Sequence, residues 1–294
     1  MWAILALGAA VLTSFNPILY KRMLKDADSL VVVWGVTLLA LPLLGLFTLA
    51  LTSQFPRLDW LFAIGVLGSA GLNVVAHLAS TKALKLGDVS LVTPLLIFSP
   101  VFTVLISALF LGEIPSARGL LGVGLVLIGA YWLNHHSGAG WLAPFKSLTL
   151  TPGIALVLLA GLLWAITPLF EKTAIRHTNP ESPRFTAFVA TALLTFMLTP
   201  AVIARGKSAI SKFSFHRREL FFAGLIAGIA PVLAYTAFSL GFVGYVTTLF
   251  KLSTVMTVIW SFLFLKEQGL AQRLPGSLVM VVGAILIATS SRTL

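Results

Sequence analysis

The two halves of this 294-residue chain repeat each other. Pro17 in the segment 16–21 recurs as Pro168 in the segment 167–172. The pairs that follow are 109–113 with 263–267, Leu86-Gly87 with Leu240-Gly241, Thr93 with Thr247, Ser99 with Ser253, Thr103 with Thr257, Ser107 with Ser261, and Gly129-Ala130 with Gly283-Ala284. A repeat of this length indicates a chain built from two similar structural units.

The composition requires lipid as the solvent for most of the surface. Hydrophobic residues make up 58% of the chain, only 10% are charged, and the mean hydropathy is +1.01. Soluble domains carry about 25% charged residues. The net charge of +11 lies in short loops and comes with no nucleic-acid recognition motif, so we expect no nucleic-acid partner. The absence of cysteine excludes disulfides and thiolate chemistry.

Apolar runs long enough to cross a membrane follow one another along the whole chain. A spanning helix needs about 20 mostly apolar residues. The predicted spans are 2–20, 30–52, 60–84, 89–111, 117–133, 154–174, 185–204, 220–240, 246–265 and 274–290. The sequence therefore predicts an all-α integral membrane fold of ten transmembrane helices.

The repeat divides these spans into two sets of five. We expect a first repeat at 1–134, a connecting loop at 135–152 and a second repeat at 153–294. An odd number of spans turns the second set upside down relative to the first. Inverted repeats of this kind are typical of secondary transporters, whose binding site lies between the repeats.

The division into two sets of five, the Pro17 and Pro168 pair, and the endings Leu-Gly-Glu at 111–113 and Leu-Lys-Glu at 265–267 together resemble the EamA-type carriers of the drug/metabolite transporter superfamily. The resemblance covers essentially the whole chain. It implies an exporter of the bacterial inner membrane with a central cavity between the halves and cytoplasmic termini. It implies no cofactor. Within the family, the spans are most similar to those of aromatic amino acid exporters.

The distribution of basic residues gives the opposite orientation. Thirteen of the 20 Lys and Arg residues fall on the side of the membrane that follows the first span, and six fall on the side that holds the termini. The positive-inside rule would place both termini outside the cytoplasm. The sequence therefore leaves the orientation open.

Lys251 is the outstanding ionisable residue, because it lies about a third of the way along the ninth span and its counterpart in the first half is Ile97. Ionisable residues at such depth usually mark a transport pathway. One interpretation is that Lys251 faces the cavity and attracts an anionic group such as an amino acid carboxylate. The other is that its stem extends to the membrane interface or that it pairs with a carbonyl or a helix end.

A polar stripe lies in the third span, where Asn73, His77 and Ser80 share one helix face. The stripe either lines water or contacts another helix. His77 is a candidate carrier of a coupling proton, because imidazole titrates near neutral pH. The alternative is a buried histidine that is simply hydrogen-bonded.

Aromatic and hydroxyl side chains are the second group of candidates. Trp164 and Tyr235 lie inside spans and either wall the cavity or pack against helices and lipid. Ser99 and Thr103 either line the same cavity or bond to the carbonyl of the preceding turn.

The repeated prolines are candidate hinges, because proline inside a helix produces a kink. Tyr20 and Glu171 occupy matching positions after Pro17 and Pro168 and are candidate gate residues. No acidic residue lies in the middle of a predicted span, since Glu171 is near a span end. This argues against a purely cationic substrate and leaves proton coupling and facilitated diffusion both open.

No motif indicates catalysis or metal binding, since the chain has neither a histidine metal pattern nor a buried acid to orient His77. The sequence predicts a non-enzymatic, monomeric carrier with lipid and a small-molecule substrate as its partners. We expect export of small amphipathic metabolites by alternating access, with aromatic or other large neutral amino acids as the first choice. The alternative is export of other metabolites or drugs, such as paraquat-like compounds, on the same fold.

Overall fold

A computed structural model describes residues 1–25, 27–51, 54–86, 99–134, 152–206, 216–265 and 270–290. These residues form helices and one pair of two-residue strands. The elements in chain order are α1 (Trp2–Thr13), α2 (Asn16–Met23), α3 (Ser29–Leu51), β1 (Arg57–Leu58), α4 (Trp60–Leu86), α5 (Ser99–Leu111), α6 (Ala117–Asn134), α7 (Pro152–Arg176), β2 (Thr178–Asn179), α8 (Pro183–Ile203), α9 (Arg217–Leu240), α10 (Val243–Phe250), α11 (Leu252–Leu265) and α12 (Leu270–Ala288).

The all-helical prediction is confirmed, and helices suit a lipid environment because each satisfies its backbone hydrogen bonds internally. In the described part of the chain, seven helical segments are long and apolar enough to cross a membrane: Trp2–Tyr20, Ser29–Leu51, Trp60–Ala79, Leu158–Arg176, Pro183–Ile203, Arg217–Leu240 and Val243–Trp260. Three apolar helices are shorter: Ser99–Leu111, Ala117–Leu133 and Leu274–Ala288. The count of ten crossings therefore stays a prediction, and residues 89–98 of the fourth predicted span lie outside the described residues.

The outer surface of the bundle carries many large apolar side chains. Leu109, Phe110 and Ile4 are 81%, 79% and 74% exposed, whereas Ala6, Ala40 and Val126 are fully buried. Large exposed apolar surfaces of this kind are rare in water-soluble monomers. The exposed apolar surface is that of a multi-pass membrane protein.

Two of the predicted spans each contain a short break in the regular helical hydrogen-bond ladder, although both are single apolar helical segments. The first span breaks between α1 and α2, at Ser14 and Phe15, just before Pro17. The N–H groups of Ile18 and Leu19 both donate to the carbonyl oxygen of Phe15, at 3.1 and 3.2 Å. The break follows from the missing N–H of proline, which removes one rung of the helical ladder. The ninth span breaks at Lys251, between α10 and α11.

Helices α6 and α12 pack in backbone contact and run antiparallel. A Cβ atom built on Gly122 would lie 2.7 Å from the carbonyl oxygen of Gly283, and one on Gly129 would lie 2.5 Å from that of Gly276. Such approach is possible only because glycine has no side chain. Gly122 of α6 therefore pairs with Gly283 of α12, and Gly129 pairs with Gly276, which gives the contact an approximate two-fold symmetry. We call this four-glycine contact the glycine seam.

Glycines also set the packing of α4 against α7 and of α3 against α9. Gly65 approaches Ala174, and Gly68 lies against the ring of Phe170. In α9, a Cβ atom on Gly224 would lie 2.7 Å from the Cβ atom of Leu39. Close contact along the whole of α4 draws the last turns of α7 into the interior of the bundle.

Polar contacts close the bundle at its two ends. At one end, β1 pairs antiparallel with β2, and the Asp59 carboxylate lies 2.6 Å from Nδ1 of His177. The backbone N–H of Phe62, together with His177, holds the pKa of Asp59 below its usual range. At the other end, the exposed surface carries an ion pair of Asp28 with Arg205.

Candidate functional site

A cavity of about 650 Å³ lies between helices of both halves. Its wall is formed by α1, α2, α4 and α5 of the first half and by α7, α9, α10 and α11 of the second. This volume lies within the range of about 300–1,000 Å³ typical of small-molecule sites. The polar and aromatic residues of its wall are Thr13, Asn16, Asn73, Ser99, Thr103, Trp164, Thr167, Glu171, Tyr235, Phe238, Thr247, Phe250, Lys251 and Ser253. We call it the main cavity.

Most of the residues singled out in the sequence line this cavity. Those in its wall are Asn73, Ser99, Thr103, Trp164, Pro168, Glu171, Tyr235 and Lys251. Among the described residues, Pro17, Tyr20 and His77 are not part of the wall. Tyr20 packs into an apolar cluster around Met23, and His77 packs edge-on against Trp164 with ring centroids 5.7 Å apart. The side chain of Ser80 lies outside the described residues.

Lys251 lies at the break between α10 and α11, in the wall of the main cavity. Its N–H bonds to the carbonyl oxygen of Thr248 at 3.0 Å, and its own carbonyl accepts the N–H of Thr254 at 3.1 Å. The break is local, because Lys251 keeps right-handed helical backbone angles and α10 and α11 continue one another through a single tighter turn. The ammonium group of Lys251 makes this part of the wall suited to an anionic group.

Glu171 also faces the main cavity, so an acidic side chain reaches the cavity wall from near the end of its span. Helix α7 continues to Arg176, and α4 packs along its last turns. The Ser69 hydroxyl donates to the Glu171 carboxylate at 3.3 Å, and the Tyr235 hydroxyl donates to it as well. The argument against cationic substrates therefore no longer holds.

A smaller cavity of about 190 Å³ lies on the other side of Glu171. It shares Asn73, Glu171 and Tyr235 with the main cavity, and it extends between α3, α4, α8 and α9. The further polar residues of its wall are Thr37, Ser69 and Thr191. We call it the side cavity.

Two hydrogen bonds between the halves repeat each other. The Thr103 hydroxyl donates to the carbonyl oxygen of Ala165 at 2.9 Å, and the Thr257 hydroxyl donates to that of Ser14 at 2.8 Å. Each carbonyl lies three residues before one of the repeated prolines. Both hydroxyls also bond to the carbonyl of their own preceding turn, at 3.2 and 2.9 Å. The matching threonines therefore hold the two proline regions from the opposite half.

The repeated prolines themselves lie in different local structures. Pro17 follows the break between α1 and α2, whereas Pro168 lies inside the continuous helix α7. Beside the first break, Trp260 donates its indole N–H to Ser14 Oγ at 2.8 Å and stacks on Phe15 at 4.9 Å. The same proline motif thus adopts two shapes in one molecule.

A buried ion pair holds the bundle together near the end that contains β1 and β2. The Glu113 carboxylate, 2% exposed, accepts from Lys172 Nζ at 2.5 Å and from the N–H of Val243 at 2.6 Å. Lys172 also donates to the carbonyl oxygen of Gly241 at 2.6 Å, and Arg176 lies 3.9 Å from the carboxylate. We call these five residues the Glu113 cluster. It joins the loop after α5 to α7 and to the junction of α9 and α10.

Sequence reasoning missed Ser69 and the Glu113 cluster. Ser69, Asn73 and His77 are spaced by four residues, so the polar stripe of α4 is one turn longer than predicted, and this spacing was a usable signal. No local pattern pairs Glu113 with Lys172 or Val243, because the bonds join positions 59 and 130 residues apart.

Comparison with known proteins identifies relatives along the whole chain. The model of the EamA-like transporter family matches twice, over residues 1–135 and 151–289. An uncharacterized transporter of Archaeoglobus fulgidus is 26% identical over 287 residues, which cover 97% of this chain and 96% of that protein. One solved crystal structure is similar at a TM-score of 0.75 with 17% identity, covering 98% of this chain and 96% of the other, and shows a shared fold.

Proposed function

Because its family model matches both halves, this chain belongs to the EamA-like transporter family, and we propose that it exports small amphipathic metabolites, with aromatic and other large neutral amino acids as the preferred substrates. The chain is a multi-pass membrane transporter. The substrate class, the direction of transport and the mechanism are the proposal. The resemblance of the sequence to aromatic amino acid exporters, which stays a prediction, is one ground for it.

The observation that carries the proposal is the pairing of Lys251 with aromatic walls in one cavity. Lys251 suits a carboxylate. Trp164, Tyr235 and Phe238 in the same wall suit a flat or apolar side chain. An amino acid with a large side chain matches both features at once.

Alternating access between two inverted repeats, 1–134 and 153–294 joined by 135–152, is part of the proposal. The two matches to the family model support the division, and the antiparallel glycine seam supports the inversion. The unequal shapes around Pro17 and Pro168 support a hinge role, because exchanging them between halves would reverse the opening of the cavity. We further propose a monomer in a bacterial inner membrane.

The test is transport by purified protein in proteoliposomes. We expect saturable uptake of labelled phenylalanine and tryptophan, and its loss in Lys251→Ala. Lys25→Ala is the matched control, because Lys25 is exposed near the end of α2. Both variants must give the Tm of the wild type. If the wild type moves no amino acid, the substrate assignment is wrong.

Glu171 favours a second candidate function, the export of organic cations. A carboxylate beside Tyr235 and Phe238 offers both charge and ring faces to a flat cation such as a paraquat-like compound. Competition distinguishes the two candidates. A paraquat-like dication that inhibits phenylalanine uptake only weakly, and is not itself transported, would favour amino acids.

A further inference from the structure

The side cavity is small, and six of its ten wall residues carry side-chain oxygen atoms, while the other four are apolar. Its volume of about 190 Å³ corresponds to roughly six water molecules at about 30 Å³ each. The residues that supply oxygen atoms are Thr37, Ser69, Asn73, Glu171, Thr191 and Tyr235. The space therefore suits a small ion with a few water molecules and is small for a whole amino acid.

Glu171 gives this wall a negative charge. Its hydrogen-bond partners in the described part of the chain are the hydroxyls of Ser69 and Tyr235. The next residue of α7, Lys172, turns its ammonium group to Glu113 instead, at 2.5 Å, and the walls given for the side cavity contain no Lys or Arg. An ionised carboxylate inside a helix bundle is costly without a positive charge close by. The side cavity is where such a charge fits.

The available ligands suit a hard monovalent cation. Carboxylate, hydroxyl and amide oxygens are the donors that hard cations prefer, and one carboxylate balances one positive charge. The described residues contain no group of three His, Asp or Glu side chains that would hold a metal of higher charge. We propose that the side cavity binds a small inorganic cation of the size of Na⁺, with Glu171 as the charged ligand and Ser69 and Asn73 among the neutral ones.

The position of the site gives the cation a role in transport, and this role rests on the proposed function. Helices α3 and α4 of the first half and α7, α8 and α9 of the second meet around the side cavity. A cation held between them favours the arrangement in which they converge. Asn73, Glu171 and Tyr235 also belong to the wall of the main cavity. Occupancy of the side cavity therefore changes the surface that the substrate meets.

The first experiment measures binding without substrate. The full-length protein is unfolded by heat in detergent at fixed pH, in NaCl or in choline chloride of equal ionic strength. A ligand that binds only the folded state raises its Tm, so we expect a saturable rise with Na⁺. Glu171→Gln should remove the rise. Glu181→Gln, an exposed carboxylate changed in the same way, and Lys251→Ala should keep it.

A second variant covers the case in which Glu171→Gln does not fold. Ser69→Ala removes the hydroxyl oxygen of one proposed neutral ligand from the side cavity. We expect the Na⁺ concentration at half effect to rise by roughly tenfold, the scale of one lost bond to a charged group. A Tm that does not respond to Na⁺ in the wild type, or that responds equally in Glu171→Gln, overturns the proposal.

Transport then separates the cation site from the substrate assignment. Phenylalanine uptake should be faster with a Na⁺ gradient at equal pH on both sides, and Glu171→Gln should abolish that acceleration. Acceleration by a pH gradient alone, lost in Glu171→Gln, would show a proton at Glu171 and overturn the proposal. The proposal would also be overturned if Glu171→Gln, with or without Na⁺, no longer discriminated between phenylalanine and an analogue that lacks the ammonium group. A Na⁺-dependent Tm without any amino acid transport would leave the cation site standing and reject the proposed function.

Discussion

Glu113 and Glu171 are two carboxylates inside the same helix bundle, and their surroundings differ completely. Glu113 is 2% exposed and is bound by Lys172 and by the N–H of Val243. Glu171 faces two cavities and has hydroxyl partners. The two sites meet on α7, where Glu171 and Lys172 are consecutive residues that point to different places. A fully paired carboxylate holds elements together, whereas one left facing a cavity is available to a ligand.

The largest expected effect comes from breaking the paired carboxylate. Glu113→Ala leaves Lys172, 3% exposed, as an unbalanced charge in the interior. Removing one partner of a buried ion pair costs about 3–5 kcal/mol. We expect this loss as a lowered unfolding free energy of the purified protein in detergent, with Lys25→Ala, which removes an exposed charge, as the control. An unchanged stability in Glu113→Ala would show that the Glu113 cluster does not hold the bundle together.

Replacing both partners should recover much of that loss. In the double variant Glu113→Leu with Lys172→Met, no charge is left without a partner, and apolar side chains of similar volume often restore stability. We expect the double variant to be more stable than Glu113→Ala by about 2 kcal/mol or more. If it is no more stable, the hydrogen bonds to Gly241 and Val243 matter more than the ion pair does.

A smaller effect is expected at the carboxylate that faces the cavity. Glu171→Gln keeps a side chain that can accept the hydroxyl of Ser69, so we expect a change of at most about 1 kcal/mol in unfolding free energy. Transport should nevertheless change strongly. The comparison fails if Glu171→Gln destabilises the protein as much as Glu113→Ala does.

The hydroxyl bonds between the halves should each contribute less. Hydrogen bonds between helices in membranes average about 0.6 kcal/mol, so Thr103→Val and Thr257→Val should lower the unfolding free energy by about that amount. The pairing predicts similar costs for both variants and nearly additive costs for the double variant. A large cost at only one of them would mean that the two proline regions are held unequally.

The exposed Asp59 completes the series with the smallest effect. Its folded-state pKa lies below the ordinary value of 3.8, so its contribution is present above that pH and is lost as the pH falls through the lowered pKa. The Tm of Asp59→Asn should therefore be slightly below that of the wild type at pH 6 and equal to it at strongly acidic pH. A difference that persists in acid would point to a cause other than the charge of Asp59.

The sequence was sufficient to predict helices and several cavity residues, because apolar runs and an isolated lysine are local signals. It could not predict the break at Lys251, since neither proline nor glycine adjoins that residue. It placed Glu171 near a span end and could not show that the side chain faces the main cavity. The hydroxyl of Ser69 that bonds to this carboxylate lies 102 residues away in the chain.

The glycine seam has a mechanical consequence for any change of shape. In the glycine seam, the main chain of each helix occupies the space that a side chain on the other helix would need. If one helix slid along the other by one residue, the side chain of Val123 or Ala284 would collide with the opposite main chain. Shear between α6 and α12 is therefore blocked, whereas a small rotation about the point of contact keeps all four glycines together. Helices α6 and α12, the last helices of the two halves, would then form a fixed axis, and the remaining helices would tilt around it.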